Sequence, residues 1–550
     1  MQLAFFPSRA RARVLVGLFL MLSVGAIVAS AKDAFPGESR KWRHYQSPNF
    51  ELYSGNSDRE SREVLQNLEL FHAAFLDFMK LPVRRPLPVT VFYFANDSDF
   101  RAYVPAAYGK KHNFAGFYVE RPDRAVILLS PRDELKQAQQ LVFHEYVHHL
   151  FRVMEERPPT WYNEGMAELF STLQEESGRL VFGRPVVGRV VQLQREGLMP
   201  LEQLFAVSHE SAVFREGEHT GQFYAQSWGL IHFCYFGAND IPSEKLALFL
   251  NVARSPRFAE QPERVRAFFR ELFGFDYPEL QQRVERYMRV GRYQARSLPV
   301  PRIADMKTYA SRAVAPEEAQ LRLAEVAARV NRTPEARLTL LHGAERHPED
   351  TRLDETLGML AYYDNDQVGT RERWERAIAN GTTNPAVFHQ VAQQMTQQLF
   401  AQFDPFYRMP DEMAAKLRVL LRRSIESAPQ QTAAYETLAW VEATSGECVV
   451  ANVNLVQERF PQLKTKDRTL VSLALVRHRR GDNAGAIALL DDLPKLDPDD
   501  WSVRAAERLR AKIEGRQPAT ERRGNRADAA KPPPVRIKLN PGAMKLPSGN

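Results

Sequence analysis

At 550 residues the chain is too long for one ordinary hydrophobic core, and two or three domains are expected. Its 44% hydrophobic and 26% charged residues exclude a fibrous or wholly disordered protein. The formal charge of +7 is concentrated at the two ends, so the body is near neutral and no nucleic-acid face is implied.

Residues 1–31 read as an export signal. Arg9, Arg11 and Arg13 form a basic start, Val14 to Val28 an apolar stretch, and Ala29-Ser30-Ala31 a small-residue cleavage site. A periplasmic or secreted protein is expected. If the segment stays uncleaved, it becomes an inner-membrane anchor, although the apolar run is short for a span. The two cysteines, Cys234 and Cys448, fall in different predicted domains, which excludes a disulfide scaffold.

Between residues 41 and 130, β-rich runs cover Phe50 to Tyr53, Val89 to Phe94, Phe114 to Val119 and Ala125 to Leu129. Arg59 to Met79 has the period of an amphipathic helix. Glu120 to Arg124 reads as a turn joining two antiparallel strands. The strand from Phe114 to Val119 is a candidate to pair with an extended peptide, and Gly116 would permit close backbone approach.

The next helix is expected to start at Ser130-Pro131, with Asp133 and Glu134 in its first turn. It carries His144-Glu145-Tyr146-Val147-His148. Histidines at i and i+4 share one helix face, so both imidazoles can reach one metal ion. Glu145 beside them is placed to take a proton from a water at that metal. A catalytic zinc site needs a third protein ligand and one open position. A second helix, starting after Pro158-Pro159, offers Glu164 and Glu168 one turn apart. Glu164 is assigned to the metal, and Glu168 to hydrogen-bonding a ligand histidine; the reverse assignment stays open. His149 points away from His148 and reads as a surface or supporting residue. Residues 200–290 look helical, with Tyr224 to Tyr235 as a buried helix.

Ser297 to Arg302, rich in proline, reads as a linker. Beyond it, Ala439 and Gly446 recur 35 residues later as Ala474 and Gly481. Together with Ala486 and Pro498 they fall where a tetratricopeptide unit needs small packing residues, a turn glycine and a closing proline. Pro348 and Pro385 close poorer units. From about Arg516 the chain is basic and Pro-rich, and should be disordered.

His144-Glu145-x-x-His148, followed by Asn163-Glu164-Gly165-x-Ala167-Glu168, resembles the gluzincin class of zinc metallopeptidases. The stretch around Trp161 is similar to the matching segment of its aminopeptidase branch. The spacing from His148 to Glu164 is a few residues shorter than in the best-known gluzincins, which implies a tighter loop. Residues 41–255 are also similar to a bacterial envelope family with a peptidase-like fold, through Ser47-Pro48-Asn49-Phe50, the metal motifs and Tyr224-Ala225-Gln226-Ser227-Trp228. The resemblance implies Zn2+ held by His144, His148 and Glu164, with Glu145 as general base. It also implies an oxyanion partner on a later helix: Tyr224, with His232 as the alternative on the same face.

The expected fold is thus an α+β zincin-like metallopeptidase domain (41–297) followed by an all-α tetratricopeptide-like repeat domain (303–515), each folding independently. The expected function is an exported zinc peptidase acting on a peptide or protein substrate, with a protein partner on the repeats. The alternative is a catalytically inactive zinc-binding envelope scaffold working through those repeats.

Overall fold

The computed structural model describes residues 35–516, apart from 82–88, 106–114, 132–134, 209–210, 212–219, 238–240, 255–260, 332, 464–465 and 497–498. The expected export segment and the basic tail lie outside the described residues. So do Phe114, Asp133, Glu134 and Pro498. Among the described residues, no helix is long and apolar enough to cross a membrane.

Strands β1 (Arg43–Gln46) and β2 (Phe50–Ser54) form an antiparallel pair. Helix α1 (Asp58–Met79) then crosses over to β3 (Val89–Tyr93), which lies parallel to β2. A capping box between Ser57 and Glu60 starts α1, and Lys80 ends it in a left-handed conformation. The short α2 (Asp97–Arg101) precedes a hairpin of β4 (Gly116–Glu120) and β5 (Ala125–Leu129), and β5 is parallel to β3. The sheet order is β4-β5-β3-β2-β1, completed beyond β1 by β9 (Ala310–Ala313), so β4 is an edge strand among the described residues.

The metal-motif helices α3 (Leu135–Val153) and α4 (Thr160–Ser171) follow. Next come β6 (Gln174–Glu176), β7 (Arg179–Phe182), α5 (Val187–Glu196), α6 (Leu201–Ala206) and α7 (Thr220–His232). Helices α8 (Ser243–Ala253), α9 (Pro262–Phe273) and α10 (Tyr277–Val290) complete this part.

The boundary expected near residue 300 does not separate two cores. Residues 297–302, read as a linker, supply most of β8 (Arg296–Pro299), which pairs with β7 in a second sheet. Strand β9 (Ala310–Ala313) then returns to pair with β1 in the main sheet. The physical reason lies in the strands. Alternate side chains point to opposite faces, and β3 and β5 are buried at every position. Leu52, Val91 and Ile127 pack on one face against α1, α3 and α4. Tyr53, Phe92, Phe94, Val126 and Leu128 pack on the other, against the first helices of the C-terminal array.

That array runs through α11 (Pro316–Val330), α12 (Pro334–Arg346), α13 (Thr351–Tyr363), α14 (Gln367–Ala379) and α15 (Pro385–Gln402). It continues as α16 (Asp411–Ser427), α17 (Thr432–Thr444), α18 (Val450–Arg459), α19 (Asp467–Arg479), α20 (Asn483–Asp492) and α21 (Asp500–Ile513). Consecutive helices pack together from α11 to α18 and from α19 to α21, and α17, α19 and α21 also pack in series. Ala439 and Ala474 are buried on α17 and α19, and Gly481 takes the positive φ of +84° at the turn after α19. Pro385, expected to close a unit, instead opens α15 as its first residue.

Buried charges bind the array to the sheet. Arg329 of α11 donates twice to Asp123 in the β4–β5 turn, both at 2.7 Å. Arg124 reaches Glu355 of α13 at 3.1 Å, and Arg352 reaches Glu51 of β2 at 2.6 Å. Asp123→Ala strands the buried Arg329 guanidinium. The expected cost is about 3–5 kcal/mol of unfolding free energy, read by denaturant titration. A loss below about 1 kcal/mol would mean that Arg329 relaxes to water.

Candidate metal centre

Helix α3 is seated by its apolar side. Val142, Phe143, Tyr146, Val147 and Leu150 are buried, which leaves His144 and His148 on the more open side at 13% and 15% side-chain exposure. The described helix begins at Leu135, so the cap expected from Ser130 falls on residues outside the described ones; the Ser130 hydroxyl donates to Asp97 at 3.0 Å.

Helix α4 is brought in by Gly165, whose place leaves no room for a side chain. A Cβ there would stand 2.5 Å from the carbonyl oxygen of Ser227 and 2.4 Å from Ile231 on α7. This close approach carries Glu164 onto the two histidines and α7 up to the same place.

Three ligand-type atoms converge. Oε2 of Glu164 is 3.2 Å from Nε2 of His144 and 3.3 Å from Nε2 of His148. The two imidazole nitrogens are 3.3 Å apart. Tetrahedral ligands held about 2.0–2.1 Å from zinc stand about 3.3–3.4 Å from one another, so the triangle has the size a zinc ion requires. Oε2 of Glu164 is also buried, and when neither Nε2 carries a proton it has no hydrogen-bond donor, a demand that a cation would meet. Burial alone would raise the Glu164 carboxyl, but His148 and His144 outweigh it and hold it at about 2. Burial alone would lower His148, but Glu164 and Glu145 drive it up to about 9. The cluster thus favours a carboxylate beside a proton, and a metal ion held there would replace that proton.

The surroundings orient the ligands. Nδ1 of His148 lies 2.9 Å from Oδ1 of Asn163, so the ring donates there and turns Nε2 to the cluster. Asn163 stands next to Glu164 in the chain and shares its helix; its amide beside a carboxylate was the available signal. Glu168 stands 3.7 Å from Nδ1 of His144, beyond hydrogen-bond reach, and its carboxylate accepts from Arg189 at 2.5 Å. Arg189, on α5, was not anticipated from the sequence. Its guanidinium also lies 5.2 Å from the ring centre of Tyr224.

Tyr224 is half-buried beside the cluster, its ring centre 6.1 Å from that of His144. Burial and the carboxylates of Glu164, Glu145 and Glu168 push its hydroxyl well above the ordinary value, so it stays a donor. His232, the alternative, is elsewhere. It is buried, with Nε2 2.9 Å from the Gly183 carbonyl and Nδ1 2.7 Å from the Tyr287 hydroxyl, and burial lowers it to about 4. Two satisfied ring nitrogens in the core leave nothing for a substrate. His149 is not on the surface but fully buried, bonded to the Tyr118 hydroxyl at 2.9 Å and stacked on Tyr146.

The loop between α3 and α4 is short, and Glu155 within it adopts a φ of +54°. Its carboxylate accepts from the backbone N–H of Thr432, at the start of α17, at 2.8 Å. The array therefore touches the loop that joins the two metal-motif helices.

No protein-family model, no curated protein and no solved structure matches this chain.

Proposed function

We propose that the protein is an exported zinc-dependent peptidase. The observation that carries this reading is the triangle of His144, His148 and Glu164, with Glu145 on the same helix and a protonated tyrosine alongside. His144, His148 and Glu164 would hold the ion. Zinc bound there supplies a Lewis acid for the substrate carbonyl and lowers the pKa of water towards neutrality.

The chain's own groups do the rest. Glu145 accepts the proton of the attacking water and returns it to the leaving amine. The Tyr224 hydroxyl donates to the oxyanion that develops on the carbonyl. Arg189 holds Glu168 and flanks Tyr224, which keeps both in register. The edge strand β4 runs beside α3, and Tyr118 and Glu120 are tied to His149 and Arg152. Its outer edge, unpaired among the described residues, would let an extended substrate add as a strand. The tetratricopeptide-like array presents a surface for the protein that carries the scissile segment.

Glu145→Gln tests this directly. The amide keeps the shape but cannot accept a proton. Against a mixed library of quenched-fluorescent peptides, the variant is expected to keep its zinc and lose about 10²–10⁴-fold in rate. A variant as fast as wild type would remove Glu145 from the mechanism. A zinc-loaded wild type that cleaves no member of the library would remove the peptidase.

A further inference from the structure

A second candidate site lies in the array, away from the metal cluster. A cleft of about 250 Å³ opens between the end of α13, the start of α14 and one face of α15. The amides of Gln390, Gln393, Gln394 and Gln397 line it, together with Gln367 and Tyr363. Residues at these spacings on a helix share a face. Among the described residues that line the cleft, none is acidic or basic. Gln394 donates to Gln367 at 3.1 Å, which holds the two amides in a fixed relation, and its own amide oxygen has no donor.

A primary amide offers both a donor and an acceptor, the pattern of a peptide group. The position of the cleft supports the same occupant. Arg121 follows directly on β4, and its guanidinium lies 5.2 Å from the ring centre of Tyr363. The guanidinium is fixed there by donating to the carbonyl of Arg329 at 2.6 and 3.1 Å. The cleft thus continues from one end of the edge strand, while the strand's middle lies beside the metal-motif helix.

We propose that this amide-lined cleft binds the main chain of an extended, uncharged stretch of polypeptide, whose adjoining segment lies along β4. The proposal rests on the peptidase reading for that second segment. It makes the substrate a long unfolded chain, recognised at a distance from the metal with little regard for side chains. A saccharide is the competing occupant and is an outcome of the test: Trp374 takes one face of Tyr362 and the Arg121 guanidinium one face of Tyr363, while both rings stay more than a third exposed.

Binding can be read without turnover in full-length protein carrying Glu145→Gln. The probe is a fluorescein-labelled peptide of Gly, Ser, Asn and Thr, about fourteen residues and ~46 Å long when extended. A photoreactive benzophenone is placed near one end. Its anisotropy is expected to report saturable binding, with crosslinks to residues 390–397. Adding Gln390→Ala and Gln394→Ala should weaken binding about tenfold or more, at unchanged zinc content. Equal affinity in both proteins, no binding, or crosslinks only elsewhere would overturn the proposal. So would displacement of the peptide by a neutral glucan oligosaccharide. If the peptide crosslinks to the cleft while wild type cleaves nothing, the peptidase reading falls and the cleft stands as a polypeptide site.

Discussion

Purified wild-type protein is expected to carry one equivalent of zinc, and His148→Ala none. The three converging atoms are mutually 3.2–3.3 Å apart, so losing one leaves two ligands and a gap on the open side. Two ligands do not hold zinc against dialysis at micromolar protein. Elemental analysis decides it, and equal metal in the two proteins would sink the ligand set. The pH dependence gives a second reading. In the metal-free cluster His148 titrates at about 9, raised by Glu164. A metal must displace that proton at any lower pH. Apparent zinc affinity should therefore fall about tenfold per unit as pH drops from 8.5 to 6.5. Glu164 titrates at about 2 and stays ionised throughout that window, so it adds no slope. An affinity flat across the window would mean that His148 is not a ligand.

Residues 32–297 alone are expected to be insoluble and metal-free. A cut there removes β9 and uncovers the face of the sheet formed by Tyr53, Phe92, Phe94, Val126 and Leu128. It also orphans Asp123, whose partner lies on α11, and leaves Arg124 with Glu51 but without Glu355 of α13. An exposed apolar sheet face of this size beside an unpaired edge leads to aggregation. Adding residues up to 363 restores the covering helices and should recover soluble protein. A soluble, zinc-binding 32–297 fragment, judged by gel filtration and metal content, would show that the array is dispensable for folding.

The misplaced boundary was legible in part. Val89 to Tyr93 and Ala125 to Leu129 carry almost no polar residues, and a strand apolar on both sides needs cover on both sides. Before residue 297 the described helices cover one face, and the second face meets only the short α2 with Phe100 and its flanking residues. The proline-rich segment nonetheless read as a break, because local turn chemistry does not show which strand a segment later joins. The metal cluster was legible for the opposite reason: i, i+4 spacing on a helix fixes geometry within five residues. What brings α4 onto α3 was not, since it depends on Gly165 meeting α7, some sixty residues away in the chain. His232 shows the same limit. A shared helix face placed it with Tyr224, yet its ring is consumed by Gly183 and Tyr287, from other elements.

The bond from Thr432 to Glu155 turns the array into a gauge of the metal site. Glu155 sits in the loop whose length sets how far His148 stands from Glu164, and its carboxylate caps a helix of the array. A hydrogen bond of 2.8 Å weakens steeply when stretched by half an ångström. Zinc sites tolerate errors of only about 0.2 Å in ligand distance. Through this bond a displacement of α17 would move the loop between the two metal-motif helices. Were a metal and a partner of the array both to bind, reciprocity would make any effect of one on the affinity of the other mutual, whichever its sign.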